Sequence, residues 1–431
     1  MTMPRRRAFI AGAAGVAAAT LGLGGCRRAD ADAPLRFWAM GREGEVLETL
    51  LAPLLREQPR LRVRVEKLPW SAAHEKLLTA FAGDATPDMA QLGNTWIAEL
   101  AALGALLPLD AGAAGLDAAD HFAGIWRSNE VDGRLLGVPW YIDTRLMFYR
   151  HDLFQRAGVP TMPGDWPGLV RALDALQRSG VAHPLLLPLN EAEPLLALAL
   201  QQDDPLLRDG GRYGNFRSAG FQRTLAFYIE RFARGHAPFL TNNQISNLWQ
   251  EFGRGSFAAF ISGPWNIGEL DRRLPAELQG LWSTAPLPGP VPGGRFGAST
   301  AGGSSLVVFK RSHRQQQALQ VLAFLGRPQT QLHFHALTGN LPPRRSTWAL
   351  APLAGERRAA AFLQQLELAK PTPAVPEWER ILQEMQLQAA RAHRYGTPVV
   401  KAAAALDERV DGFLAKRRWM LARGALRARA A

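Results

Sequence analysis

Apolar positions in the first part of the chain follow two alternating periods. Leu61, Val63 and Val65 alternate with arginines, as a half-buried strand requires, whereas Val46, Leu47, Leu50, Leu51 and Leu54 recur at helical spacing. Together with their flanking Gly and Pro signals, these patterns predict strands over Leu35–Met40, Leu61–Leu68 and Asp88–Leu92, separated by helices over Glu45–Arg56 and Ala72–Phe81. Strand and helix in alternation give a parallel α/β sheet. Ligands of such sheets sit outside the carboxyl ends of the strands. That points to the loop Gly41-Arg42-Glu43-Gly44-Glu45 and to Gly93, Asn94, Thr95 and Trp96 at the start of a helix.

A glycine-bounded extended piece, Gly133–Val138, follows, and a second lobe begins near Arg150. There Ser218 is placed to cap a helix whose core stripe is Phe221, Leu225, Tyr228 and Phe232, with Gly235 ending it and Pro238 just beyond. Phe257–Ile261 reads as a buried strand that leads into a turn at Ser262-Gly263-Pro264-Trp265-Asn266. A Pro- and Gly-rich linker spans Pro286–Gly297, and Ser305–Phe309 is again β-rich. Helices are expected from Arg314 to Leu325, around Gln329–Leu337, and from Glu377 onward. No internal repeat is present at the periods of solenoids or propellers.

The N-terminus changes the picture, because Arg5-Arg6-Arg7-Ala8-Phe9-Ile10 precedes an apolar, Ala- and Gly-rich run that ends at Gly25. This has the form of an export signal over residues 1–25, with a twin-arginine character. Leu23-Gly24-Gly25-Cys26 has the form of a lipobox, and Cys26 is the only cysteine of the chain, so no intramolecular disulfide forms. The expected mature protein is lipidated at Cys26 and tethered through residues 26–33 outside the cytoplasm. About 400 residues remain, enough for two domain-sized cores. Setting aside the three leader arginines leaves 47 basic against 38 acidic side chains, a balance of +9, concentrated near the C-terminus in Lys416, Arg417, Arg418, Arg423, Arg427 and Arg429. These residues are not interleaved with aromatics across a domain, so nucleic acid is not an expected partner, and the bland reading is a solvated basic tail, near anionic lipid at most.

The most informative chemistry lies in Val138-Pro139-Trp140-Tyr141-Ile142-Asp143-Thr144-Arg145. A sugar offers apolar C–H faces to aromatic rings and hydroxyls to charged partners, and charge-assisted hydrogen bonds are about twice as strong as neutral ones. Period-2 alternation puts Tyr141 and Asp143 on one side of an extended segment. Read alone, the same stretch equally describes a buried strand with a satisfied Asp–Arg pair. His333 and His335 are the only close histidine pair, and their i, i+2 spacing sends the rings to different helix faces. With no Walker loop, dinucleotide fingerprint or nucleophilic triad signature, neither cofactor nor metal is expected.

Several pieces in order carry a family resemblance that covers nearly the whole chain. They are the lipobox, the segment from Gly93 to Glu99 with Leu103–Asp110 after it, and the segments Gly137–Arg145 and Phe148–Phe154. Gln250–Gly268, Ala301–Val308 and Gly339–Arg344 complete the set. The chain resembles an extracellular carbohydrate-binding lipoprotein of an ABC-type sugar importer, in the maltose- and trehalose-binding branch. The resemblance implies a two-lobed periplasmic-binding-protein fold, each lobe a mostly parallel sheet flanked by helices, with the ligand cleft between them. The lobes would comprise residues 34–144 plus 298–344 and residues 145–297 plus 345–431. It further implies ligand contacts from Glu45, Gly93, Asn94, Tyr141, Asp143, Trp265, Gly303, Ser304 and Arg344. Two positions depart from the pattern: Asn94 stands where relatives often carry aspartate, and Ser304 where others carry an aromatic. Arg145 either touches ligand or orients Asp143, and Trp38 and Trp140 either line the cleft or pack beneath it.

The implied function is capture of a neutral di- or oligosaccharide by a monomer and its delivery to permease subunits driven by a cytoplasmic ATPase. A glycoside hydrolase using Glu45 and Asp143 is the competing reading, since two carboxylates at a sugar site suit either role. A sensor protein that presents its ligand to a membrane receptor shares the fold.

Overall fold

A computed structural model describes residues 33–110, 112, 116–241, 244–245 and 247–423. The expected leader, Cys26 and residues 424–431 lie outside the described residues. Nine strands build two sheets: β1 (Leu35–Met40), β2 (Val63–Leu68), β3 (Met89–Gly93), β4 (Val138–Asp143), β5 (Leu146–Arg150), β6 (Leu185–Leu186), β7 (Ala259–Ser262), β8 (Trp282–Ala285) and β9 (Gly302–Val308). The first sheet has the order β2-β1-β3-β9-β4 and the second β8-β5-β7-β6. In each sheet every strand but one runs in the same direction. The exceptions are β9, antiparallel to β3 and β4, and β5, antiparallel to β7 and β8.

Both sheets are covered on both faces, and β1 shows why. It is a central strand, so its odd and even residues enter different cores. Leu35, Phe37 and Ala39 pack with Val46, Leu47 and Leu50 of the helix Gly41–Glu57. Trp38 and Met40 pack on the other side with Ala73 and Leu77 of the helix Trp70–Ala82. The second sheet repeats the arrangement: Met147 and Ile261 enter one core and Phe148 and Phe260 the other. The helix Ala219–Ala233 is capped as its sequence requires, with the Ser218 hydroxyl accepting from the Phe221 N–H at 3.3 Å. Its stripe Phe221, Leu225, Tyr228 and Phe232 is buried in the second-sheet core, and burying each such side chain stabilises the fold by about 1.5–3 kcal/mol.

The chain passes from one sheet to the other through Thr144–Arg145, directly between β4 and β5. It returns through Ser299–Thr300, which pairs in parallel with Ala369–Lys370 just before β9. These passages are stitched together: the Arg145 N–H donates to the Ser299 hydroxyl at 3.1 Å, and that hydroxyl donates to the Arg145 carbonyl at 2.6 Å. Ser299 is fully buried. After the helix Pro328–Thr338, which packs on Gly41–Glu57, the chain goes over once more, and the helix Arg357–Glu367 packs on β8.

Candidate functional site

A cavity of about 500 Å³ opens where the carboxyl ends of β1, β3 and β4 face the second sheet. Strand polarity dictates its first wall. The chain leaves β1 into Glu43, β3 into Gly93, Asn94, Thr95 and Trp96, and β4 through Tyr141 and Asp143, all on the cavity wall. Because β9 runs the other way, it contributes its amino end, Gly302 and Gly303. Gly303 holds φ +145°, and a Cβ there would lie 2.3 Å from the Tyr141 carbonyl oxygen, so glycine keeps this wall thin.

Asp143 is the centre of the polar chemistry. Its Oδ2 lies 3.4 Å from Nη2 of Arg145, while its buried Oδ1 has no hydrogen-bond partner among the described residues. Burial pushes the carboxyl up to about 6 despite the Arg145 charge, with Glu193 and Glu191 adding in the same direction. Arg145 is 8% exposed, pairs more loosely with Glu193 at 3.9 Å, and sits 4.7 Å from the centre of the Trp265 ring. Its guanidinium backs the indole and the carboxylate at once. Trp265 is the first residue of the helix Trp265–Arg273 and folds back over Gly263. A Cβ at 263 would come within 1.9 Å of that ring and 2.6 Å of Asp143 Oδ1.

Glu43 and Tyr141 lie on the same first wall. Glu43 is 7% exposed and its Oε1 accepts from Asn340 Nδ2 at 2.8 Å. Burial raises its pKa, although the backbone, Asn340, Tyr141 and Trp70 oppose the shift by hydrogen bonding to its charged form. The Tyr141 hydroxyl accepts from Gln91 Nε2 at 3.3 Å, and Gln91 Oε1 in turn accepts from the Met40 N–H at 2.8 Å. Trp70 and Trp96 meet edge to face at 5.6 Å and supply two further aromatic surfaces on this wall. Five carboxylates, from Glu43, Asp143, Glu193, Glu269 and Glu379, line the cavity against two guanidiniums, from Arg42 and Arg145. The surroundings are therefore acidic and aromatic, able to accept from hydroxyls and to cover apolar ring faces.

Of the residues expected from sequence, Gly93, Asn94, Tyr141, Asp143, Arg145, Trp265 and Gly303 come together around this cavity. Asn94 has both amide ends engaged, donating to the Ser128 hydroxyl at 2.9 Å and accepting from that of Ser305 at 2.8 Å. Three expected residues lie elsewhere. Glu45 is solvent-exposed and paired with Arg42 at 2.9 Å. The helix begins at Gly41 rather than Glu45, and two residues of helix turn the side chain by roughly 200°, so Glu43 faces the cavity and Glu45 faces away. The carboxylate pair Glu45 and Asp143 of the hydrolase reading is thus not assembled. Ser304 is fully buried behind the wall, its hydroxyl donating to the Leu92 carbonyl at 2.9 Å. Arg344 is a clamp within the scaffold, donating from Nε to Asp120 Oδ2 at 2.6 Å and from Nη1 to the Gly326 carbonyl at 3.0 Å. Trp140 stacks on Phe334 at 4.6 Å and Trp38 is 3% exposed, so both pack beneath the cleft.

Glu43 and Trp96, which stand in the two loops that strand polarity points to, line the cavity as well, and Trp70, Glu193, Glu269 and Glu379 line it beyond the expected set. Trp70 had a legible signal: Pro69-Trp70 opens a helix just after β2 as Pro264-Trp265 does after β7. Glu193 and Glu379 stand on the separate helices Glu193–Ala199 and Trp378–Tyr395, and nothing local in their sequence marks them.

With this geometry, the chain can be set beside known proteins. Residues 50–354 match the family described as bacterial extracellular solute-binding protein. The structure of the sugar-binding protein MalE from the phytopathogen Xanthomonas citri superposes with a TM-score of 0.85 at 49% sequence identity, covering 90% of this chain and 99% of that one. The GacH receptor of Streptomyces glaucescens shares the fold, with a TM-score of 0.80 at 22% identity over 88% of this chain and 98% of its own. The diacetylchitobiose binding protein DasA of Streptomyces coelicolor is 24% identical over 80% of this chain and 81% of its own. The cleft, its two covered sheets and a match spanning most of the chain lead to one conclusion: this protein belongs to the bacterial extracellular solute-binding protein family.

Proposed function

We propose that this protein captures a neutral di- or oligosaccharide, such as maltose or trehalose, in the cavity and delivers it to the permease subunits of an ABC importer. The observation that carries this reading is Asp143 Oδ1, a buried acceptor without a hydrogen-bond partner among the described residues, beside the Trp265 ring. A pyranose stacked on that indole would donate a hydroxyl to the carboxylate and satisfy it. Leaving such an acceptor unmet costs about 1–3 kcal/mol. The cavity volume falls within the range of about 300–1,000 Å³ usual for small-ligand sites. The neighbours support a sugar as cargo: MalE of Xanthomonas citri is described as sugar-binding and DasA as binding diacetylchitobiose.

In this reading residues 34–144 plus 298–344 form one lobe and residues 145–297 plus 345–431 the other, and the lobes swing about the Thr144–Arg145 and Ser299–Thr300 passages. Sugar binds the closed form more tightly than the open one, which lets the permease tell loaded from empty protein. Cys26 carries the lipid that holds the monomer at the membrane, and the partner's ATPase supplies the energy. Tyr141, Glu43 and Asp143 act as binding groups only, with no bond cleavage. A thermal-shift screen against trehalose, maltose, sucrose and longer glucans tests the proposal, since a ligand at 100 times its dissociation constant adds about 2.7 kcal/mol of stability. No shift with any of them would overturn it, and glucose released from maltose or trehalose would overturn the binding-only role.

A further inference from the structure

The C-terminal helix Ala415–Ala422 has two unlike faces. Arg417 and Leu421, four residues apart, point inward and are buried. Lys416, Trp419 and Arg423 are exposed. Helical spacing puts these three within a stripe roughly 60° wide. Trp419 is 54% exposed, an unusual position for so large an apolar ring, and the Arg423 guanidinium lies 4.0 Å over it.

The charge of this face is only partly neutralised locally, by Glu377, whose carboxylate acts on the buried Arg417 and on Lys416. From Gly412 to Ala431 the sequence holds six basic residues and no acidic one. The acids that precede it are engaged elsewhere: Asp407 accepts from the Phe216 N–H, Asp411 from the Gly214 N–H, and Glu408 pairs with Arg217. An indole flanked by cations on an exposed helix is the composition of an element that lies in a headgroup layer, with the ring at the interface and the cations on anionic lipid. A protein partner fits less well, because a convex single helix presents one anchor and no pocket, whereas a lipid surface conforms to it.

We propose that this face docks on anionic phospholipid, giving the protein a membrane contact separate from any lipid on Cys26. The contact orients the second lobe, whose helix Trp378–Tyr395 carries the cavity residues Glu379 and Leu382, relative to the membrane plane.

The test uses residues 34–431, a compact unit that contains every core cluster and so folds without the leader or Cys26. This protein is sedimented with phosphatidylcholine vesicles made with and without phosphatidylglycerol. It should co-sediment only with the anionic vesicles and be released when salt is raised from about 0.1 M to 1 M, which shortens the Debye length from about 10 to 3 Å. Each cation near such a surface contributes a factor of roughly five, so Lys416→Gln with Arg423→Gln should lower partitioning roughly 25-fold. Trp419→Ala should weaken it with the charges intact. Equal binding to neutral vesicles, no binding to anionic ones, or unchanged partitioning of either variant overturns the proposal. Circular dichroism of each variant verifies that the fold is kept.

Discussion

Acidification should weaken sugar binding through Asp143, and the size of the effect follows from its surroundings. Burial holds its carboxyl at about 6, so it is mostly ionised at neutral pH. A hydroxyl that donates to Oδ1 favours the ionised form, so the sugar binds the carboxylate and affinity falls as the pH drops through that pKa. Lowering the pH from 7 to 5 takes the group from about one-tenth to about nine-tenths protonated, which reduces affinity about tenfold, or about 1.4 kcal/mol. The sign is fixed: affinity rises with pH up to a plateau above the pKa. Glu43 and Glu379 are also raised by burial and push the same way. The wild-type profile must therefore be compared with that of Asp143→Asn, which should bind about tenfold more weakly at pH 7 and vary less between pH 7 and 5. Titration calorimetry in buffers of different ionisation enthalpy reads both the affinity and the proton released. A flat wild-type profile, or one that tightens with acid, would refute the role given to Asp143.

Further outcomes follow from the same geometry. Trp265→Ala should weaken sugar binding at least about tenfold, through loss of the ring that covers the sugar face, with far-ultraviolet circular dichroism unchanged. Gly263→Ala drives a methyl into the Trp265 ring and Asp143, so calorimetry should show binding lost to a comparable degree. Glu45→Gln should change affinity by at most a few-fold, because this exposed carboxylate faces away from the cavity and reaches it only through its exposed pair with Arg42; a tenfold loss would return it to the site. Arg344→Ala should lower stability by about 1–3 kcal/mol in urea unfolding, by leaving Asp120 with its Ser346 donors alone and the Gly326 carbonyl without its guanidinium donor, with sugar affinity kept.

Periodicity made the alternation of strands and helices legible, strand polarity pointed to the ends of β1 and β3, and the side-chain chemistry of Tyr141 and Asp143 pointed to β4. What periodicity could not supply was phase. The helix after β1 starts four residues earlier than the apolar stripe suggests, because Gly41 adopts a positive φ of 53° that turns the chain straight into the helix. With the helix starting there, Glu43 faces the cavity and Glu45, the contact that the resemblance implied, faces solvent. Ser304, a contact implied by the resemblance and not by periodicity, alternates with Gly303: Gly303 lines the cavity and Ser304 turns to the Leu92 carbonyl behind it. Arg344 shows another limit, since a guanidinium suits a carboxylate of the scaffold as well as a sugar hydroxyl, and only its distance to Asp120 decides.

The reciprocal hydrogen bonds between Arg145 and Ser299 bear on how many independent motions the protein has. Ala301 N–H also donates to the Lys370 carbonyl at 2.8 Å, and Ser299–Thr300 pairs with Ala369–Lys370. Three chain segments are thus laminated into a narrow ribbon at the boundary between the two sheets. In the proposed closure, segments fastened in this way would move together, so opening would follow essentially one coordinate. Asp143 and Arg145 lie on either side of Thr144 in that ribbon, and their 3.4 Å separation would lengthen or shorten with its curvature. The ion pair beside the proposed ligand acceptor would then also be a gauge of the hinge angle.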